Sequence, residues 1–310
     1  PACRVFYKCT GACRMSKISI LVTGAVGQIG MELAAVAPQF PDFDFVFADS
    51  QQLNISSHDD IQRMFASRKF DYCINAAAYT AVDKAQTERK KTALANMIGP
   101  YLLACACKEN QTRLIQLSTD YVYHNGLNRP LLEDDPVEPK SAYAFSKCAG
   151  DEAVLRFHSE GAMVVRTSWV FSSFGHNFVK TMLRLGRERP ELRVVFDQIG
   201  TPTYARHLAR ALLTAIASAE SGAVNRDLLR GVYHFSNEGV ASWYDFALAV
   251  FEMSGLPCAV LPIETKDYPT PAVRPPYSVL NKTKWKTAFG QAIPHWREGL
   301  RECLEILDRS

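Results

Sequence analysis

The sequence predicts an α/β fold, a doubly wound parallel sheet followed by a smaller C-terminal region. Three observations predict it. Apolar β-rich runs alternate with helical patterns up to about residue 168, a glycine-spaced turn joins the first run to the first helix, and beyond Trp169 the alternation becomes less regular. Parallel strands need crossovers, and right-handed crossovers put helices on both faces of the sheet.

The elements follow in order. Residues 17–23, KISILVT, read as a strand, GAVGQIG as a turn and MELAAVA as the start of a helix. FDFVFADS is a second strand ending near Asp49; ISSHDDIQRMFASR is a helix capped by Ser56 or Ser57; FDYCINAAA is a third strand. One long helix is expected through KTALANMIGPYLLACACKEN, then the strand RLIQLST ending near Thr119, a Pro-rich loop at 130–140 and a helix from about Ser141. AMVVRTSWV is another strand, while NFVKTMLRLGRE and SWYDFALAVFEMSG look helical. Residues 15–168 then form the first domain, with 197–236 returning to it, and 169–196 with 237–310 form the smaller region. Residues 1–14, PACRVFYKCTGACR, lack any such pattern and read as an extension or cloning remnant.

With 310 residues, 47% of them hydrophobic, the chain can bury a substantial core. No apolar run is long enough for a bilayer and no signal-like apolar centre opens the chain, so a cytoplasmic protein without membrane contact is expected. The net charge of +3 equals the contribution of Arg4, Lys8 and Arg14 in the extension; the balanced remainder gives no reason to expect nucleic acid. The nine cysteines, three of them Cys3, Cys9 and Cys13, and the seven histidines show no zinc spacing, so free thiols and no metal site are expected.

Gly24, Gly27 and Gly30 form Gly-x-x-Gly-x-x-Gly between strand and helix. Bare glycines permit a tight turn and close approach of a pyrophosphate, and the helix N-terminus offers it free N–H groups. This is the phosphate-binding turn of a Rossmann-type domain. Asp49, nineteen residues after Gly30, stands where a carboxylate accepts hydrogen bonds from an adenosine ribose. Ser50 and Gln51 beside it offer no cation for a 2′-phosphate, which favours NADH over NADPH. Tyr143 and Lys147 lie one helical turn apart, on one face. An ammonium beside a phenol lowers its pKa and eases proton exchange with a carbonyl oxygen, and the Thr119 hydroxyl can polarise the same carbonyl.

These features resemble the extended short-chain dehydrogenase/reductase superfamily. More narrowly, NAAAYTAVDKAQ (75–86), STDYVY (118–123), YAFSK (143–147), RTSWVF (166–171), NFVKTMLRL (177–185), GTPT (200–203) and YPTPAVRP (268–275) resemble the dTDP-4-dehydrorhamnose reductase family. The resemblance implies reduction of a dTDP-linked 4-keto-6-deoxy sugar by NADH or NADPH, with Thr119, Tyr143 and Lys147 catalytic. It implies cofactor contacts at Gln28 and Ile29 of the glycine turn, at Asp49, Asn54 and Ile55, and at Ala76, Ala77, Ala78, Tyr79 and Thr80. Substrate contacts are implied for Thr119, Asp120, Trp169, Asn177 and Arg274. The resemblance also allows a homodimer bridged by Mg2+ through acidic residues, for which no cluster can be placed in the sequence.

Three rival readings remain. A sugar-nucleotide 4,6-dehydratase needs a Glu where Tyr121 follows Asp120, and the RTSWV and NFVKTML blocks favour a reductase over a 4-epimerase. A catalytically silent subunit, like the regulatory beta subunit of methionine adenosyltransferase, has no need of Thr119, Tyr143 and Lys147 together.

Overall fold

The computed structural model describes residues 17–309; the extension expected at 1–14 lies outside the described residues. Apolar runs free of Gly and Pro form β1 (Ile18–Thr23), β2 (Phe43–Ala48), β3 (Tyr72–Asn75), β4 (Arg113–Thr119) and β5 (Ala162–Thr167). Between them run α1 (Gln28–Val36), α2 (His58–Ser67), α3 (Arg89–Ala93), α4 (Gly99–Glu109) and α5 (Ala142–Phe157). Ser57 rather than Ser56 caps α2 by accepting from the Asp60 N–H, and Ser141 caps α5 in the same way.

The later chain supplies β6 (Val170–Phe171), α6 (Phe178–Glu188), β7 (Glu191–Val195), β8 (Ile199–Gly200), β9 (Thr203–Tyr204) and α7 (Ala205–Glu220). After these come β10 (Gly231–His234), β11 (Ala241–Ser242), α8 (Trp243–Ser254), β12 (Ala259–Ile263), α9 (Thr283–Phe289) and α10 (Trp296–Asp308).

The central sheet is parallel throughout, in the order β10-β5-β4-β3-β1-β2. Side chains alternate across it. Ile20 and Val22 of β1 join one core with Leu33 of α1, Leu212 of α7 and Trp285 of α9; Leu21 joins another with Ile61 of α2, Leu103 of α4 and Val154 of α5. Both faces are therefore covered, as the near-continuous apolar strands require. The strand order reverses at β1, which places the ligand crevice at the carboxyl ends of β1 and β3.

The expected single helix at 91–110 is interrupted. A π-helical turn, Leu94–Ile98, separates α3 from α4. Pro100 has no N–H to give the Asn96 carbonyl one turn back. A Cβ on Gly150 of α5 would strike that carbonyl, so the bare glycine lets α5 pack directly on the interruption.

Of the segment 197–236, β10 pairs with β5 and α7 packs on α1, whereas β8 pairs with β11 and β9 with β6 in small separate sheets. The second core gathers Phe171, Val179 of α6, Phe246 of α8 and Leu300 of α10. Glu32 of α1, buried, ties the lobes by accepting from Ser172 Oγ at 2.6 Å, and it accepts from Arg206 Nε of the neighbouring α7 at 2.7 Å. Among the described residues no helix is long and apolar enough to cross a membrane, no group of three or more potential ligand side chains gathers to hold a metal, and Cys73, Cys105, Cys107, Cys148, Cys258 and Cys303 are free thiols.

Beneath the crevice the strand ends carry a buried polar rung. Thr23, Asn75 and Gln116 lie opposite one another across β1, β3 and β4. Thr23 Oγ1 donates to Asn75 Oδ1 at 2.5 Å, and Asn75 Nδ2 donates to Gln116 Oε1 at 2.6 Å. Asn75→Ala strands both neighbours, and each buried polar group left without a partner costs about 1–3 kcal/mol. The variant should lose at least about 2 kcal/mol in urea denaturation; a loss within error of zero would mean that water or a rearranged Gln116 completes the rung.

Candidate active site

A cleft of about 430 Å³ opens at the carboxyl ends of β1, β3, β4 and β5, between the two lobes. Its first wall is the turn after β1. Gly24 takes φ +69°, and a Cβ there would lie 2.6 Å from the Ala77 nitrogen; a Cβ on Gly30 would run into the Gly24 carbonyl oxygen. Backbone thus packs against backbone from Gly24 to Ala77. Gly27, Gln28 and Ile29, at the start of α1, and Ala76, Ala77, Ala78 and Thr80, after β3, line the cleft. This cradle of small residues at a helix N-terminus fits the pyrophosphate of a dinucleotide.

The second wall carries the chemistry. Thr119 ends β4, and Tyr143 and Lys147 share one face of α5; all three are buried and line the cleft. Tyr143 lies within hydrogen-bond reach of the Thr119 hydroxyl, which also donates to Asp120 Oδ1 at 3.1 Å. Lys147 Nζ donates to the Leu117 carbonyl at 2.7 Å. The expected lowering of the phenol pKa is reversed here. Burial pushes Tyr143 up, the Asp120 and Asp151 carboxylates add to this, and only the Thr119 hydrogen bond opposes it. Lys147 is pushed down by its own burial, against the opposing charge of Asp151. The phenol is therefore fully protonated at neutral pH, the state a proton donor needs.

Asp120 is buried beside Thr119, and its Oδ2 finds no partner among the described residues. Desolvation, against the hydrogen bond from Thr119, raises its pKa to about 7. Across the cleft stands Trp169, its backbone at φ +47°. Asn177 lines the cleft, but its side chain is engaged within the protein: Oδ1 caps α6, and Nδ2 donates to Gln28 Oε1 at 2.9 Å and to the Ser172 carbonyl at 2.7 Å. It ties the second lobe to the glycine turn.

The other expected contacts lie outside the cleft lining. Asp49 directly follows β2, where its Oδ1 accepts from the Gln51 and Gln52 N–H groups at 2.9 Å each. Asn54 Oδ1 accepts from Ser56, and Ile55 is buried against Gly99. Arg274 pairs with Asp83 at 2.8 Å and donates to Thr270 Oγ1 at 2.5 Å. Tyr79 is held through its main chain, its N–H donating to Asn96 Oδ1 and its carbonyl accepting from Asn96 Nδ2. Asn96 Nδ2 also reaches Ser146 Oγ at 3.0 Å, so the π-helical turn positions one buried amide between the loop after β3 and α5. Asn96 and the cleft residues His176 and Trp243 were not singled out in the sequence, because only long-range packing brings them here.

The family model described as the RmlD substrate binding domain matches residues 18–309. The spore coat polysaccharide biosynthesis protein SpsK of Bacillus subtilis is 39% identical over 286 residues, covering 92% of this chain and 96% of its own. The dTDP-4-dehydrorhamnose reductase of Escherichia coli K12 is 38% identical over 299 residues, 94% of this chain and 98% of that one. The crystal structure of dTDP-4-dehydrorhamnose reductase from Bacillus anthracis in complex with NADP superposes with a TM-score of 0.87 at 34% identity, covering 94% of this chain and 99% of that one.

The raised Asp120 pKa has a thermodynamic signature. Unfolded, this carboxyl titrates near about 4; folded, it titrates at about 7. Between these values the native state keeps a proton that the unfolded chain has lost. The group's contribution to stability is therefore complete at the acid end and lost as pH rises through about 7. Asp120→Asn should gain stability relative to wild type on going from about pH 4 to about pH 8, read from urea midpoints at the two values. A constant difference between the proteins would show that the native carboxyl titrates normally.

Proposed function

The chain belongs to the dTDP-4-dehydrorhamnose reductase family, and we propose on that premise how its own residues reduce the 4-keto group of dTDP-4-dehydrorhamnose to give dTDP-L-rhamnose. The observation that carries this reading is the convergence of Thr119, Tyr143 and Lys147 on a cleft whose opposite wall is the glycine cradle. A bound nicotinamide dinucleotide supplies the hydride to C4. The glycine turn and the first N–H groups of α1 hold its pyrophosphate, and Lys147 Nζ holds the ribose next to the nicotinamide ring. Tyr143 donates to the 4-keto oxygen, and Thr119 donates to it once its hydroxyl turns from Asp120 Oδ1, so negative charge developing there meets two donors. The Tyr143 phenol then gives its proton to that oxygen, and burial keeps the proton in place until the oxygen becomes basic enough to take it. Asp120 and Trp169 contact the sugar, and Arg274, steadied by Asp83, meets the diphosphate.

Tyr143→Phe should keep the fold and cofactor binding while losing turnover by a factor on the order of 10²–10⁴, since only the proton donor is removed. Lys147→Met should impair both turnover and cofactor affinity. The loss of reduced-nicotinamide absorbance with dTDP- and other nucleotide-linked 4-keto-6-deoxy sugars measures both variants. Near wild-type turnover by the Phe variant would remove Tyr143 from the mechanism. Failure of the wild type to oxidise reduced cofactor with any of these sugars, despite binding it tightly, would favour a silent subunit.

The cofactor at this site is NADH at least as readily as NADPH. A 2′-phosphate would meet the Asp49 carboxylate as a like charge, and Ser50 and Gln51 beside it are neutral. The ratio of kcat/KM for the two cofactors checks this; a strong NADPH preference would mean that a cation from elsewhere in the fold completes the pocket.

A further inference from the structure

Gln86 lies outside the cleft lining, yet its side chain touches the helix that carries Tyr143. It ends a short 3-10 turn, Lys84–Gln86, on the stretch that continues from the cleft wall after β3, and the fully buried Ala85 anchors that turn. Gln86 Oε1 accepts from the Ala142 N–H at 2.9 Å, and Gln86 Nε2 donates to the Pro271 carbonyl at 3.3 Å. Beside it Asp83 Oδ1 accepts from the Ala272 N–H at 3.2 Å, and Asp83 pairs with Arg274. One loop thus meets both the catalytic helix and the segment that carries Arg274.

Ala142 is the first residue of α5, one position before Tyr143. The first N–H groups of a helix find no partner within it. Ser141 Oγ takes the Ala144 N–H at 3.2 Å, and Gln86 Oε1 takes that of Ala142, so a neighbouring cap and an acceptor 56 residues away hold the same turn. The carboxamide has one usable orientation. Only its NH2 end can serve the Pro271 carbonyl, which leaves the oxygen for Ala142. Further along, Ser146 Oγ donates to the Tyr143 carbonyl at 2.7 Å, and the chain is tied just before and just after the residue that bears the phenol.

We propose that Gln86 is a positioning residue for the reductase reaction: its carboxamide oxygen fixes the first turn of α5 and so keeps the Tyr143 phenol beside the Thr119 hydroxyl, where the 4-keto oxygen arrives. The proposal rests on the reductase reading and adds a residue that acts through Tyr143 alone. A misplacement of about 1 Å at the reacting atoms costs on the order of 10²-fold in rate, and loosening one helical turn costs a part of that. Tyr143 gives up its proton only in the transition state. The loss therefore falls on kcat, with both KM values kept.

The test measures kcat, the KM for each substrate, the melting temperature and amide hydrogen exchange of residues 141–147 in wild type, Gln86→Leu and Gln86→Glu. Gln86→Leu fills the space without an acceptor. It should speed exchange in that segment and lower kcat about tenfold, the equivalent of about 1.4 kcal/mol and the size of one lost hydrogen bond, with both KM values unchanged. Gln86→Glu keeps the acceptor, and its negative charge suits a helix N-terminus, so it should restore slow exchange and wild-type kcat. Gln86→Asn, one methylene too short to reach Ala142, carries the test if Gln86→Leu fails to fold. A Gln86→Leu kcat equal to wild type, or a loss that Gln86→Glu leaves in place, overturns the proposal while the reductase reading stands. A wild type that oxidises no reduced cofactor with any 4-keto sugar overturns the reductase reading, and the proposal with it, whatever the exchange shows.

Discussion

The rest of the molecule depends on the polar rung formed by Thr23, Asn75 and Gln116. In an all-parallel sheet covered on both faces, apolar side chains tolerate many registers, and a slip of one residue exchanges the two faces of a strand. Three polar side chains that must meet in one buried row tolerate only one register. Everything functional is then counted from that row: the glycine turn begins one residue after Thr23, the small loop one residue after Asn75, and Thr119 three residues after Gln116. The rung also continues toward the chemistry, because Gln116 Nε2 and Lys147 Nζ both donate to the Leu117 carbonyl.

Burial is the second determinant. An ammonium near a phenol would lower the phenol's pKa in water, but both groups here have been taken out of water, and desolvation of each disfavours its charged form. The outcome is a neutral phenol with a proton to give, next to a carboxyl that holds its own proton to about pH 7. For the reduction proposed here, this order suits delivery of a proton to a developing alkoxide better than a preformed tyrosinate would. The buried Asp151, which accepts from Ser118 Oγ at 2.6 Å and pairs with Arg166 at 3.4 Å, lies outside the cleft lining.

Polar contacts cross between the lobes: Glu32 reaches Ser172, Gln28 reaches Asn177 and Asp83 pairs with Arg274. Glu32 and Gln28 both sit on α1, the helix whose N-terminus forms the cofactor cradle. The strand-to-helix segment 170–178 is therefore fastened to the helix whose N-terminus lines the cleft.

Much of this was legible along the chain. The apolar runs, the glycine spacing, the Ser141 cap and the Tyr143–Lys147 interval are local: each depends on residues within one or two turns of itself, so periodicity and spacing determine them. The sequence alone therefore located the parallel sheet, the cradle and three chemical groups at its edge. Tertiary structure decided what local pattern cannot encode. Whether Tyr143 gains or loses acidity depends on burial by distant segments, and whether Asn177 is free for a ligand depends on Gln28 standing 149 residues away. The break at Leu94–Ile98 and the role of Asn96 arise where Gly150 lets a second helix approach, and the indole wall needs β8, β11 and α8 to converge on Trp169. These are properties of contacts between segments, and their free energies exist only once the chain has brought the segments together.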